Sequence, residues 1–277
     1  MTLRTRRLLL WFLPSSLGVL AAGVLVAGAA AGLSGRLGER VGEGPIVLPT
    51  PAAATAVPAA GTFRIVALGD SLTRGAGDAP GGGGYPERVA AALRRTGLTV
   101  SVENLGVDGA ETGDLLRNVS EPEAQRAIAG AQLILMSIGG NDLSHSIRGA
   151  ALPGEAAGES DPTGPALRAA SLNLRRILSS VREANGSSPI RILGLYDPFP
   201  ESFDRKIARE TLLKWNVALE EASYAVPNTL VVPTADVFDG RPDRLAADRF
   251  HPGAEGYGEI AARVLQTLRL APGGRPS

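Results

Sequence analysis

Residues 63–73, with the sequence FRIVALGDSLT, join an apolar run to a short polar segment. The apolar part, 63–68, has the length and the aliphatic content of a buried β-strand. Gly69, Asp70 and Ser71 follow this strand directly. The segment therefore predicts a serine at the carboxyl end of a strand, where open α/β sheets bind their ligands.

Four further apolar runs follow, and they alternate with stretches of helical periodicity. The runs at 132–138 and 190–195 are almost continuously aliphatic, which is typical of parallel strands buried on both faces. The alternation predicts an α/β fold, a three-layer α/β/α sandwich with a five-stranded, mostly parallel sheet. The predicted strands are 63–68, 99–103, 132–138, 190–195 and 229–232, and the predicted helices are 86–95, 123–129, 166–184, 203–224 and 254–270.

Polar motifs follow four of the five predicted strands. Ser71 follows the first strand, 104–109 the second and 139–142 the third, whereas Asp248 and His251 lie between the fifth strand and the last helix. Because the carboxyl ends of parallel strands meet at one edge of a sheet, we expect these residues to lie close together.

Ser71 needs a neighbouring base, because a free hydroxyl is a weak nucleophile. The chain has only two histidines, and His251 is preferred because Asp248 lies three residues before it. Ser71, His251 and Asp248 have the residue types of a catalytic triad, in which the carboxylate orients the imidazole. His145 is interpreted as a residue of a loop or of the rim of the site.

The composition excludes several other functions. The chain has 277 residues with 28 basic and 28 acidic groups, so zero net charge gives no electrostatic basis for a nucleic-acid partner. It contains no cysteine, which excludes disulfides and thiolate metal sites, and two histidines do not favour a His-rich metal site. No metal and no cofactor are expected.

Four sequence blocks in fixed order resemble those of the GDSL hydrolases, also called the SGNH hydrolase superfamily. They are 69–72 (GDSL), 104–109 (NLGVDG), 139–142 (GGND) and 248–252 (DRFHP). The resemblance spans about 63–270 and implies the flavodoxin-like fold of that superfamily. The segments 69–75 and 84–86 are similar to its lysophospholipase-like branch.

The resemblance also implies roles for individual residues. Ser71 is the nucleophile, with His251 and Asp248 completing the triad. The oxyanion hole is formed by the backbone N–H groups of Ser71 and Gly109 and by the side-chain amide of Asn141. Such donors are needed where charge develops on a tetrahedral intermediate.

Structural roles are the alternative for each of these residues. Ser71 would then be a helix N-cap, Gly109 a turn glycine and Asn141 a residue that bridges a loop. Gly106 is a second candidate for the role of Gly109. The pair at 248 and 251 would then lie on the surface before a helix.

Other conspicuous residues are given structural interpretations. Asp70 and Asp142 are expected to brace the loops as hydrogen-bond acceptors, and Trp215 and Phe203 to belong to the core. The glycine-rich segment 76–84 lacks the ending of a phosphate-binding loop and predicts a flexible loop beside the nucleophile. The segment 149–164 predicts a mobile rim over the site.

The N-terminus predicts a membrane segment. Arg4, Arg6 and Arg7 precede an uncharged stretch from Leu8 to Leu33, which is longer than the ~20 apolar residues that span a bilayer. We expect an uncleaved anchor at 1–33 with the rest of the chain outside the cytoplasm. The alternative is a signal peptide cleaved near 27–29, which would release the protein.

The remaining boundaries follow from composition. Residues 34–61 are rich in Pro, Ala and Gly and predict a linker. The hydrolase domain is expected at 62–271 and a disordered tail at 272–277.

The expected function is an extracytoplasmic serine ester hydrolase that acts through an acyl-enzyme on a lipid-like or short-chain carboxylic ester. The partners would be a small-molecule, lipid or glycan ester and the membrane, while the sequence leaves the oligomeric state open. One alternative is a carbohydrate or cell-wall O-acetyl esterase, or an acyltransferase, with the same site. The other is a tethered binding protein with a vestigial site.

Overall fold

The computed structural model describes residues 61–150, 161, 163–198, 204–268, 270–271 and 275–276. Apart from Gly61, the predicted anchor and linker lie outside these residues, as does Phe203. The strands are β1 Phe63–Gly69, β2 Val100–Gly106, β3 Leu133–Ser137, β4 Ile190–Leu193, β5 Thr229–Val232, β6 Leu270–Ala271 and β7 Arg275–Pro276. The α-helices are α1 Ser71–Arg74, α2 Gly84–Arg94, α3 Thr112–Asn118, α4 Pro122–Gly130, α5 Gly140–Ala150, α6 Gly164–Ala184, α7 Arg205–Tyr224, α8 Ala235–Phe238 and α9 Ala254–Gln266, with a 3-10 helix at Pro242–Arg244.

The five longer strands form one sheet in the order β2-β1-β3-β4-β5, and every neighbouring pair is parallel. The ladder between β1 and β2 continues to the carboxyl ends, where Gly69 is opposite Gly106. On its other side β1 ends with Gly69 opposite Ser137 of β3. The prediction of a five-stranded parallel sheet is therefore confirmed.

Side chains of β1 alternate between two separate cores. Phe63, Ile65 and Ala67 join the core that also contains residues of α2, α8 and α9. Val66 and Leu68 join the core that contains residues of α3 to α7. This alternation is the two-residue period of a strand. The sheet thus has helices on both faces, which confirms the three-layer α/β/α sandwich.

Strand β4 is shorter than predicted. It ends at Leu193, whereas the aliphatic pattern extends to Leu195. After Gly194 donates to the backbone of Val232, the backbone N–H and C=O of Leu195 bond instead to the side chain of Asn216 on α7. The Asn216 side chain thus takes the place of a neighbouring strand as the hydrogen-bond partner of Leu195. The sequence pattern does not indicate this.

The predicted helices are present within a few residues of their bounds, and α9 ends four residues earlier than expected. Trp215 on α7 is fully buried, as predicted. The helices that sequence patterns missed are the short α1, α3 and α8, and α5. The last of these begins inside the GGND block, and its end overlaps the predicted rim 149–164. Residues 151–160 and 162 of that rim lie outside the described residues.

The chain termini bear on two further predictions. Within the described residues, no helix is long and apolar enough to cross a membrane, and the predicted anchor at 1–33 is not among them. In the stretch expected to be a disordered tail, Arg275–Pro276 pair antiparallel with Leu270–Ala271.

Two glycines of α9 have opposite surroundings. A Cβ at Gly256 would lie 2.5 Å from the carbonyl oxygen of Arg244 and 2.9 Å from the ring of Phe238. A Cβ at Gly258 would meet nothing within 4 Å. Gly256 is therefore required for α9 to pack against the segment before it, whereas Gly258 is not.

We expect Gly256→Ala to lower the free energy of unfolding by about 1–3 kcal/mol, because the methyl group overpacks a backbone contact. Gly258→Ala, the matched control, should raise it by about 0.5–1 kcal/mol, because alanine loses less conformational entropy in a helix. Urea unfolding of both variants measures the difference. Equal effects of the two substitutions would contradict this packing of α9.

Candidate active site

The close approach of β1 and β3 positions Ser71. Gly69 has a φ of +133°, and a Cβ there would lie 1.8 Å from the carbonyl oxygen of Ser137. A side chain at position 69 would therefore separate the two strand ends. The chain leaves the sheet here, and Ser71 becomes the first residue of α1.

Asp70, not Ser71, is the N-cap of α1. Its Oδ1 accepts a hydrogen bond from the N–H of Leu72 at 3.1 Å. The alternative role of Ser71 as an N-cap is therefore wrong. As the first helical residue, Ser71 has a backbone N–H without an acceptor inside the helix. Both its hydroxyl and this N–H are thus left for other partners.

Three side chains from distant parts of the chain meet as the sequence predicts. Nε2 of His251 lies 2.9 Å from Oγ of Ser71, and Nδ1 lies 2.7 Å from Oδ2 of Asp248. In this arrangement Nδ1–H donates to the carboxylate, and Nε2 accepts from the serine hydroxyl. That is the hydrogen-bonding order of a nucleophile, its base and the group that orients the base.

The side chain of Asp248 stabilises the turn that contains Asp248 and His251. Oδ1 of Asp248 accepts from the backbone N–H groups of Phe250, at 2.9 Å, and His251, at 3.0 Å. Arg249 between them adopts a φ of +54°. Burial raises the pKa of the Asp248 carboxyl, but the hydrogen bonds from His251 and Phe250 outweigh it and leave the pKa below its usual value.

Outside contacts fix this turn to the domain. The N–H of Ala246 donates to the carbonyl of His251 at 2.8 Å, and the hydroxyl of Tyr196 donates to the carbonyl of Phe250 at 2.7 Å. A Cβ at Gly77, in the loop after α1, would lie 2.8 Å from Cβ of His251. The imidazole is thus confined from several sides.

Gly109 and Gly106 are distinguished by their surroundings. A Cβ at Gly106 would lie 2.7 Å from the backbone nitrogen of Arg74, so this glycine allows β2 to pack against α1. Gly109 has a φ of +77°, and a Cβ there would meet nothing within 4 Å. Gly109 alone of the two has open space beside its backbone, as a group that receives a substrate requires.

Asn141 bonds to the loop that contains Gly109. Its Nδ2 donates to the carbonyl of Ala110 at 2.9 Å, and the residue lines a cavity together with Ser71. An amide nitrogen has two hydrogens, so one of them remains for a ligand. The bridging role and the donor role of Asn141 are therefore compatible.

Asp142 and His145 have the same spacing as Asp248 and His251, but the structure separates them. Asp142 accepts from the N–H of Thr112 at 3.0 Å and from its hydroxyl at 2.6 Å. Burial raises the pKa of the Asp142 carboxyl, and the Thr112 hydrogen bonds oppose this. Nδ1 of His145 faces the carboxylate of Glu111 on the surface. Both pairs tie α5 to α3, and neither forms a second triad.

The glycine-rich loop after α1 lies beside the nucleophile, but Asp78 braces it. This carboxylate accepts from the N–H of Ala79 at 2.8 Å, from that of Gly84 at 2.9 Å and from both terminal nitrogens of Arg88. Burial raises the pKa of Asp78, but the Arg88 ion pair outweighs it and leaves the pKa below its usual value. These bonds of Asp78 hold the loop to the start of α2, which the glycine content of the segment does not indicate.

An apolar cavity of about 30 Å³ opens next to Ser71. That volume is small beside the order of 150 Å³ that accommodates a benzene-sized ligand. Sequence reasoning did not find the residues that line it, because they come from separate elements and have no motif. Besides residues of the GDSL, GGND and DRFHP blocks, they are Leu143, Leu195, Tyr196, Pro198 and Leu212.

Among the described residues, no three His, Cys, Asp or Glu side chains are grouped so that they could hold a metal ion. The contacts of Ser71, His251 and Asn141 described above are those of groups that could carry out nucleophilic attack and stabilise an oxyanion.

A family model matches residues 67–258, and it describes the GDSL-like Lipase/Acylhydrolase family. The match contains every residue of the candidate site. Two Bacillus proteins are also similar. An uncharacterized protein, YpmR, of Bacillus subtilis (strain 168) is 31% identical over 211 residues, which are 74% of this chain and 81% of YpmR. The spore germination lipase LipC of Bacillus licheniformis is 30% identical over 223 residues, which are 77% of this chain and 98% of LipC.

The crystal structure of the lipase Lip_vut3 from a goat rumen metagenome has a similar fold. The TM-score is 0.65 and the sequence identity 28%, over 74% of this chain and 97% of the lipase. This likeness supports the fold that the four sequence blocks imply.

Proposed function

The chain belongs to the GDSL-like lipase/acylhydrolase family and is an ester-hydrolysing enzyme, and we propose that it acts through Ser71, His251 and Asp248. The observation that supports this assignment most directly is the continuous hydrogen-bond chain from Ser71 Oγ through His251 to Asp248. Two of the similar proteins are named lipases.

In the proposed mechanism, Oγ of Ser71 attacks the ester carbonyl carbon while Nε2 of His251 takes the serine proton. The tetrahedral intermediate collapses to an acyl-enzyme, and the imidazolium gives its proton to the leaving alkoxide. Water then attacks the acyl-enzyme by the same route, which releases the acid and restores Ser71. The Asp248 carboxylate stabilises the imidazolium in both halves of the reaction.

Three donors would stabilise the oxyanion of each tetrahedral intermediate. They are the N–H of Ser71, the N–H of Gly109 and the second hydrogen of the Asn141 amide. The first has no acceptor within α1, and Gly109 has open space where a side chain would otherwise stand. The bond from Asn141 to Ala110 holds the amide in place before substrate binds, so little reorganisation is needed during the reaction.

The cavity beside Ser71 favours an ester with a short acyl chain. Its apolar walls suit the acyl part of a substrate, and its volume of about 30 Å³ leaves room for only a few atoms. Leu212, which is 9% exposed, contributes to the wall from α7. We therefore favour an acetyl to butyryl ester over a long-chain lipid ester.

The proposed location is outside the cytoplasm, on an N-terminal anchor. This rests on Arg4, Arg6 and Arg7 before the uncharged stretch from Leu8 to Leu33.

The first test measures hydrolysis of p-nitrophenyl acetate, butyrate, octanoate and palmitate by the purified full-length protein. Ser71→Ala should abolish turnover, and Asn141→Ala should lower kcat by about 10²–10³, because one oxyanion donor is lost. A folded wild-type protein without activity above Ser71→Ala would favour a binding protein. Transfer of the acyl group to an added alcohol, in preference to water, would favour an acyltransferase.

A second test addresses acyl-chain length. Leu212→Ala should raise the ratio of kcat/KM for octanoate to that for acetate by about tenfold or more, because methylene groups enter the enlarged cavity. Leu213→Ala is the matched control, since this neighbouring side chain is 67% exposed and should leave the ratio unchanged. An unchanged ratio in Leu212→Ala would show that the acyl group binds elsewhere.

The location is tested by treating intact cells that express the full-length protein with a protease that does not enter them. We expect the protease to digest the protein in intact cells. In untreated cells that are then lysed, we expect the protein to sediment with the membranes. Protection in intact cells, with digestion only after lysis, would refute an extracytoplasmic domain. Release into the medium would favour the cleaved signal peptide.

A further inference from the structure

A chain of buried oxygen atoms in close contact begins at Asp70, the residue before Ser71. Oδ1 of Asp70 lies 2.6 Å from Oγ of Ser137, which lies 2.7 Å from Oγ1 of Thr73. Oγ1 of Thr73 lies 2.9 Å from the carbonyl oxygen of Leu68. Asp70 is 1% exposed, and Ser137 and Thr73 are fully buried. The proposed mechanism does not use any of these side chains.

These three contacts need three protons, and the two hydroxyl groups supply only two. The carbonyl of Leu68 is an acceptor only, so the contact with Leu68 uses the proton of Thr73. The proton of Ser137 can then serve only one of its two short contacts. If Asp70 were ionised, one contact would place two lone pairs against each other in a buried site, which is costly.

A proton on Asp70 completes the chain. The carboxylic acid donates to Ser137, Ser137 donates to Thr73, and Thr73 donates to Leu68. The same Oδ1 still accepts from the N–H of Leu72, because a hydroxyl oxygen donates and accepts. The hydroxyl of Tyr85 lies 3.2 Å from Oγ1 of Thr73. It adds one contact and one proton, so the number of missing protons does not change.

We propose that Asp70 is a neutral carboxylic acid that donates a hydrogen bond to Ser137, and that it thereby keeps formal negative charge away from the oxyanion site. Asp70 accepts from the N–H of Leu72, as the sequence predicts, and in this proposal it is a donor as well. A carboxylate next to Ser71 would repel the negative charge that develops on the substrate oxygen. Asp248 would then be the carboxylate that stabilises the His251 imidazolium.

The surroundings of Asp70 favour its neutral form. Burial is the largest influence on this carboxyl, and it raises the pKa above the usual value. The N–H of Leu72, the attraction of His251 and a bond that Ser137 would donate to an ionised Asp70 act in the opposite direction but do not outweigh burial. The other titratable groups that interact with Asp70 are the hydroxyls of Tyr85 on α2, Tyr196 after β4 and Tyr257 on α9. All three hydroxyls are neutral at pH 7, so none of them carries a charge that would favour the ionised form of Asp70.

Asp142 is a natural control, since burial raises the pKa of its carboxyl as well. Its contacts are with the N–H and the hydroxyl of Thr112, and both of these groups are donors. Nδ2 of Asn173 in turn donates to the Thr112 hydroxyl oxygen at 3.3 Å. Each of these hydrogen bonds therefore has a donor proton when Asp142 is ionised.

The direct test is infrared spectroscopy of the purified full-length protein at pH 7, with its aspartates labelled with ¹³C. We expect a carbonyl band of a protonated aspartic acid that Asp70→Asn removes and Asp142→Asn retains. Absence of such a band from the wild-type spectrum would overturn the proposal. This outcome does not depend on whether any variant folds. Persistence of the band in folded Asp70→Asn would also overturn it.

A second readout, which rests on the proposed function, is the pH dependence of kcat/KM on its acid side. A neutral Asp70 contributes no charge there, so Asp70→Asn should leave the midpoint within about 0.3 pH units. If Asp70 were ionised, its loss would destabilise the imidazolium and lower the midpoint by about one pH unit or more. The infrared result is independent of activity, so it stands even if no ester is hydrolysed.

Discussion

The contact between the carboxyl ends of β1 and β3 is the constraint on which the site depends. Because position 69 has no side chain, the backbone of Asp70 reaches the carbonyl of Ser137 at 3.1 Å, and the Ser137 hydroxyl reaches the Asp70 carboxyl. The chain then turns into α1 with Ser71 at its start. A larger residue at position 69 would change the direction of that turn, and with it the position of the serine hydroxyl.

The imidazole depends on a different set of contacts. His251 lies in a turn stabilised by Asp248, and α9 follows it and packs closely enough to require Gly256. The hydroxyl of Tyr257 on that helix donates to the carbonyl of Ala76, in the loop after α1, at 2.6 Å. Thus the segment with His251 and the segment with Ser71 are held to each other by packing and hydrogen bonds that do not involve these two side chains.

Much of this arrangement could be predicted from sequence, because the information is local. The aliphatic runs specify strands buried on both faces, and the polar residues that follow them are placed at one edge by parallel topology alone. The cavity is different. Leu212 and Leu213 are adjacent and chemically identical, yet one lines the cavity and the other is exposed. The way α7 packs decides this, and no local pattern encodes it. Helix α5 was missed because its GGND start has the composition of a loop.

The hydrogen bond between His251 and Ser71 joins residues 180 positions apart. During synthesis Ser71, the proposed nucleophile, therefore emerges from the ribosome long before His251, its proposed base. A nascent chain, or a fragment truncated before His251, would contain Ser71 but not the imidazole that is proposed to take its proton. With the proposed triad incomplete, such a species would be inert toward esters, and the order of residues along the chain would delay hydrolytic activity until the domain is almost completely synthesised.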